Sequence, residues 1–159
     1  MESLKDAART FLRLKRIAVV GVSRDPRQTA NFIYRRLREG DREVFAVNPN
    51  AERVENDRCY PNLASIPDGV DAVFIATRPE VTEQIVRECA DAGIRWVWMH
   101  RAFGQGSVSA PAVELGRREG MVVIDGACPM MYIEPVDLFH KCARWILGVM
   151  GRLPRPYPS

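Results

Sequence analysis

The chain has no apolar run near the roughly 18 residues that cross a bilayer, and its N-terminus lacks the apolar core of a secretory leader. The expectation is a soluble cytoplasmic protein with no membrane partner. Metal-binding cysteine spacing is missing too. The four cysteines, Cys59, Cys89, Cys128 and Cys142, lie far apart, with no C-x-x-C and no cysteine–histidine cluster, so no metal site is expected. Reduced thiols fit the cytosol, and Cys89 and Cys142 are expected on the buried faces of helices. Charge of one sign is scarce: 23 Lys and Arg against 20 Asp and Glu leave a net charge of +3. This suits a small anionic ligand, but supplies no basic stripe for nucleic acid. Repeats and low-complexity segments are absent. At 159 residues one domain is expected, spanning the whole chain.

Five short apolar runs are present: Ile17–Val20, Val44–Val47, Ala72–Ala76, Trp96–Met99 and Met121–Ile124. Helical patterns alternate with them. A first helix is predicted over 3–14, a second over Ala30–Glu39, a third from Pro79 to the Gly93 stop, and a fourth capped by Ser109 and ending at Gly120. On the third, Val81, Ile85, Cys89 and Ala92 are expected on the buried side. A last helix over 136–150 stacks Leu138, Cys142, Trp145, Ile146 and Val149, and a proline-bearing tail, 153–159, is expected to be loose. The stretch after the second strand, with Cys59-Tyr60-Pro61, reads as a loop leading to Val70. Strands apolar on both faces and separated by helices predict an α/β fold. Its form is a Rossmann-like, doubly wound parallel sheet of about five strands with helices on both faces.

Such sheets bind ligands beyond the carboxyl ends of their strands. Those ends hold Gly21-Val22-Ser23, Asn48-Pro49, Thr77-Arg78-Pro79, Met99-His100-Arg101 and Asp125-Gly126. In the first turn, Gly21 lets backbone approach an anion, while Ser23, Arg24, Arg27 and Thr29 add donors ahead of a helix N-terminus. The reading is a phosphate-binding turn, against the plainer one in which Gly21 and Ser23 only shape a tight bend. The dinucleotide fingerprint G-x-G-x-x-G is incomplete: Ser23 and Pro26 stand where its second and third glycines belong. Asn48-Pro49 stands where an acid would take the ribose hydroxyls, which argues against NAD. An NAD(P)-dependent Rossmann-type oxidoreductase using Arg24 is the alternative. His100, at a strand end, could act as a general base, but no nucleophile pairs with it, so a structural or ligand-lining role is the reading. Cys128, with no base assigned to it, reads as a buried thiol. Trp96, Trp98 and Trp145 read as core or interface anchors.

The segments G-V-S-R-D-P-R-Q-T-A-N-F-I-Y-R-R-L, V-F-A-V-N-P-N, C-Y-P-N-L-A-S-I-P-D-G-V-D-A-V-F-I-A-T, W-V-W-M-H and V-V-I-D-G-A-C-P-M-M resemble the small single-domain CoA-binding proteins. These are related to the CoA-binding domain of succinyl-CoA synthetase α subunits and of ADP-forming acyl-CoA ligases. The resemblance covers about Arg16 to Tyr132. The sequence departs from the family's commoner W-M-Q-x-G turn, having Trp98-Met99-His100-Arg101-Ala102 instead. The resemblance implies a module for CoA or acyl-CoA without catalytic activity of its own, since related ligases carry their phosphohistidine and ATP-grasp parts in other domains. A CoA-binding subunit of an ADP-forming acyl-CoA ligase is a further alternative. It also implies a pose. Gly21, Val22, Ser23 and Arg24, with Arg27, take the diphosphate or 3′-phosphate; Val47, Asn48 and Pro49 line the next stretch. Ala76, Thr77 and Arg78 flank the adenosine. Met99 and His100, at the fourth strand end, are further candidate cofactor-binding residues. A homodimer through the last helix is a further expectation.

Overall fold

The five apolar runs become strands β1 (Arg16–Val20), β2 (Glu43–Val47), β5 (Ala72–Ile75), β6 (Trp96–Met99) and β7 (Val122–Asp125) in a computed structural model that describes residues 3–154. Two short strands, β3 (Arg53–Val54) and β4 (Asp57–Tyr60), join them, so the sheet has seven strands rather than five. The order is β3-β4-β2-β1-β5-β6-β7, parallel except where β3 runs against β4. The segment expected to be a loop is therefore a hairpin at the sheet edge. Strands this short carry no readable alternation. Their turn places Glu55 and Asn56 at φ of 51° and 65°, the left-handed pair that matches hairpin twist.

Helices α1 (Leu4–Arg13), α2 (Thr29–Arg38), α3 (Pro79–Asp91), α4 (Ala110–Arg118) and α5 (Leu138–Val149) cover the two faces. On one side α3 and α4 pack Val86, Cys89 and Leu115 against Val73, Ile75, Val97 and Met99. On the other, α1, α2 and the segment after β7 enclose Ile17, Phe74 and Trp98. Trp98 is fully buried and satisfies its indole N–H on the Gly126 carbonyl at 2.7 Å. Ser3 caps α1 through the Asp6 N–H, whereas Ser109 precedes α4 without a side-chain cap bond. Among the described residues no helix is long and apolar enough to cross a membrane.

Helix α5 departs from the sequence expectation. Its inward residues are Ala143 and Leu147, while Leu138, Phe139, Trp145 and Val149 are 76, 67, 71 and 72% exposed. Cys142 is exposed as well, not buried. The helix is apolar around most of its circumference, so periodicity could not choose which stripe turns inward. Likewise Val81 and Ala92 of the third helical pattern lie outward, Val81 on α3 and Ala92 at its end. Of the tail expected to be loose, Pro154 is buried and Leu153 packs on the core; 155–159 lie outside the described residues.

Candidate functional site

From β1 the chain moves outward to β2, then returns to add β5 on β1's other side. The connections diverge at the carboxyl ends of β1 and β5, where open α/β sheets form their ligand crevice. Gly21 closes the end of β1. Its N–H donates to the Val47 carbonyl at 2.9 Å, and its φ is +107°. A Cβ there would stand 2.7 Å from the Ala76 carbonyl oxygen. The glycine is thus required by the neighbouring strand end, not only by an approaching anion. Asn48 ties this corner together: its amide donates to the Val22 carbonyl at 2.8 Å, and its carbonyl accepts from the Asn50 N–H at 2.9 Å.

Beside this corner lies a crevice of about 370 Å³. Gly21, Val47, Asn48, Pro49, Thr77 and Arg78 line it, together with Pro61, Asn62 and Leu63 and the α3 residues Val81, Gln84, Ile85 and Glu88. Sequence reasoning missed the second group. The available signal is Val81 and Ile85, one turn apart near the start of the third helical pattern, which periodicity alone assigns to the core. The Thr77 hydroxyl oxygen is buried and has no hydrogen-bond partner among the described residues, which is uncommon in native proteins.

Other expected residues are elsewhere. Val22 and Met99 are fully buried in the two cores, and Ala76 contributes its carbonyl to the contact with Gly21. The Ser23 N–H donates to Asn31 Oδ1 at 2.8 Å, and Asn31 Nδ2 returns bonds to the Ser23 carbonyl and Glu55 Oε1 at 2.7 and 2.8 Å. That N–H therefore serves the fold rather than a phosphate. Arg27 grips the Asp25 carboxylate with two bonds of 2.9 and 3.0 Å, and holds that carboxyl below its ordinary range. Arg24 is exposed, and neither arginine lines the crevice.

His100 packs its ring edge-on against Phe74, on the α1–α2 side of the sheet, with Nε2 buried and without a hydrogen-bond partner among the described residues. Burial pushes its pKa down to about 4, so the imidazole is neutral at pH 7. Burial raises the Cys128 thiol to about 11 and the Cys59 thiol above its usual value. Both shifts run opposite to the lowering that activates a thiol as a nucleophile.

A family model for the CoA binding domain matches residues 15–134. The chain is 34% identical over 83 residues to an ADP-forming acetate–CoA ligase of Archaeoglobus fulgidus, a match covering 51% of the chain and 12% of the ligase. It thus spans about an eighth of that relative. It is 27% identical over 116 residues to the uncharacterized protein YneT of Bacillus subtilis, covering 73% of this chain and 83% of YneT. A solved hypothetical protein from Pyrococcus horikoshii OT3 superimposes with a TM-score of 0.76 at 28% identity, over 83% of this chain and 91% of the other.

Proposed function

Since the chain belongs to the CoA-binding domain family, we propose that it binds CoA or an acyl-CoA in the crevice between β1 and β5, and performs no chemistry of its own. The observation that carries this reading is the switch-point crevice itself, where Gly21, Asn48 and Thr77 from three strand ends meet and whose rim carries Arg78. CoA joins a multiply charged nucleotide to a neutral arm. Arg78 offers a charge-assisted fork for a phosphate, Gln84 and Glu88 offer hydrogen-bond groups for a base or ribose, and Val47, Leu63 and Ile85 offer apolar contact. The binding-only reading is supported by a buried, neutral His100 and by a Cys128 thiol that burial keeps protonated.

Mass spectrometry of small molecules released from the purified protein, followed by displacement titrations, tests the proposal. CoA is expected to outcompete NADPH, and Arg78→Ala to weaken CoA by about 1.5 kcal/mol. NADPH displacing CoA would overturn it. A second reading, a CoA-binding subunit of an ADP-forming ligase, is favoured by the match to the Archaeoglobus fulgidus enzyme. Acetate- and CoA-dependent ADP formation on mixing with a separate nucleotide-binding chain would establish that reading.

A further inference from the structure

The β3–β4 hairpin sets Arg53 directly opposite Arg58. Like charges at opposed positions destabilise a strand pair, and the local acids relieve this one only at a distance: Asp57 attracts Arg53 without forming an ion pair with it. Asp57 is bound by the Tyr34 hydroxyl and Arg38, while Glu55 accepts from Asn31 and Arg35. The hairpin's carboxylates thus anchor it to α2, and its arginines face outward. Among the described residues neither arginine has a carboxylate within ion-pair distance: Arg53 donates to the Asn56 carbonyl at 2.6 Å, and the Arg58 guanidinium lies 5.0 Å from the Tyr60 ring centroid. Both line an open depression of about 780 Å³ that includes one carboxylate, Glu52. Pro49, Asn50 and Pro61 are shared with the crevice beside Gly21, so the two spaces adjoin.

We propose that Arg53 and Arg58 form a subsite for a phosphate monoester carried at the nucleotide end of the ligand, which for CoA is the ribose 3′-phosphate. The inference rests on the CoA reading above. A phosphate dianion between two guanidinium groups replaces their repulsion with two charge-assisted contacts. Because α2 holds the hairpin on its other side, the pair is positioned before the ligand arrives. Arg27, by contrast, is engaged by Asp25 when no ligand is bound.

The test is calorimetric titration of the intact protein with CoA and with dephospho-CoA, which lacks only that monoester, using wild type and the Arg53→Gln, Arg58→Gln double variant. Wild type is expected to bind CoA at least about 10-fold tighter than dephospho-CoA, with the preference shrinking as salt rises. The double variant is expected to bind the two alike, and dephospho-CoA as tightly as wild type does. Its melting temperature without ligand should stay near that of wild type, because the repulsion removed offsets the lost Asn56 bond and Tyr60 contact. Equal wild-type affinities, or a preference that survives in the double variant, overturn the subsite while leaving the CoA reading standing. Binding of neither ligand by wild type overturns both.

Discussion

Gly21 and His100 both stand at strand ends, yet they differ in what a substitution would report. Gly21 is fixed by the Ala76 carbonyl, 2.7 Å from where a Cβ would be. His100 is fixed by desolvation, which pushes its pKa from 6.5 to about 4. The unfolded chain therefore takes up the proton first as pH falls. This destabilises the fold progressively from about pH 6.5 down to about pH 4, by an amount on the order of 2–3 kcal/mol. His100→Gln is expected to show a shallower loss of stability across that window, measured by urea unfolding at about pH 7 and about pH 4.5. Carboxylates that also titrate in acid are common to both proteins and cancel in the comparison. Equal losses would show that the imidazole is not the responsible group.

At the scale of elements, the β3–β4 hairpin depends on α2 more than on its own strands. A two-residue strand makes few ladder bonds, but Tyr34 donates to Asp57 at 2.6 Å, and Arg35 and Arg38 bind Glu55 and Asp57. Burial alone would raise the Asp57 pKa, but the bonds from Tyr34 and Arg38 outweigh it and hold the carboxyl below its ordinary value. Tyr34→Phe keeps the buried ring and removes one charge-assisted bond, so a loss of about 1–2 kcal/mol is expected in chemical unfolding. A variant as stable as wild type would mean the hairpin is held some other way. None of this was legible beforehand. Tyr34 reads as a core residue at helical spacing, and nothing in E-R-V-E-N-D-R-C-Y reveals that its acids turn toward a helix some twenty residues earlier in the chain.

For the molecule as a whole, the orientation of α5 is the packing choice that most affects the surface. Leu147 is 2% exposed and belongs to the core around Phe11 and Trp98, whereas Val149, two residues on, is 72% exposed. Leu147→Ala is therefore expected to cost about 2–5 kcal/mol, and Val149→Ala to stay within about 0.5 kcal/mol, both read from unfolding midpoints. The reverse ranking would mean the helix is rolled the other way. Arg144, which donates to the Met131 carbonyl at 2.8 Å, fixes the inward stripe alongside Ala143.

By itself the sequence determined the five main strands nearly to the residue, the helices between them and the corner at Gly21. These follow from local apolar periodicity and from glycine at a strand end, both encoded within a few neighbouring residues. Tertiary structure alone decided which of the polar residues at those strand ends share one crevice. It turned Arg27 onto Asp25 and Ser23 onto Asn31, sent His100 to the opposite face, and brought α3's Gln84 and Glu88 alongside Asn48. It also paired Arg53 with Arg58. A side chain's partners across a sheet are set by strand order and register, and those are properties of the packed chain rather than of any stretch within it.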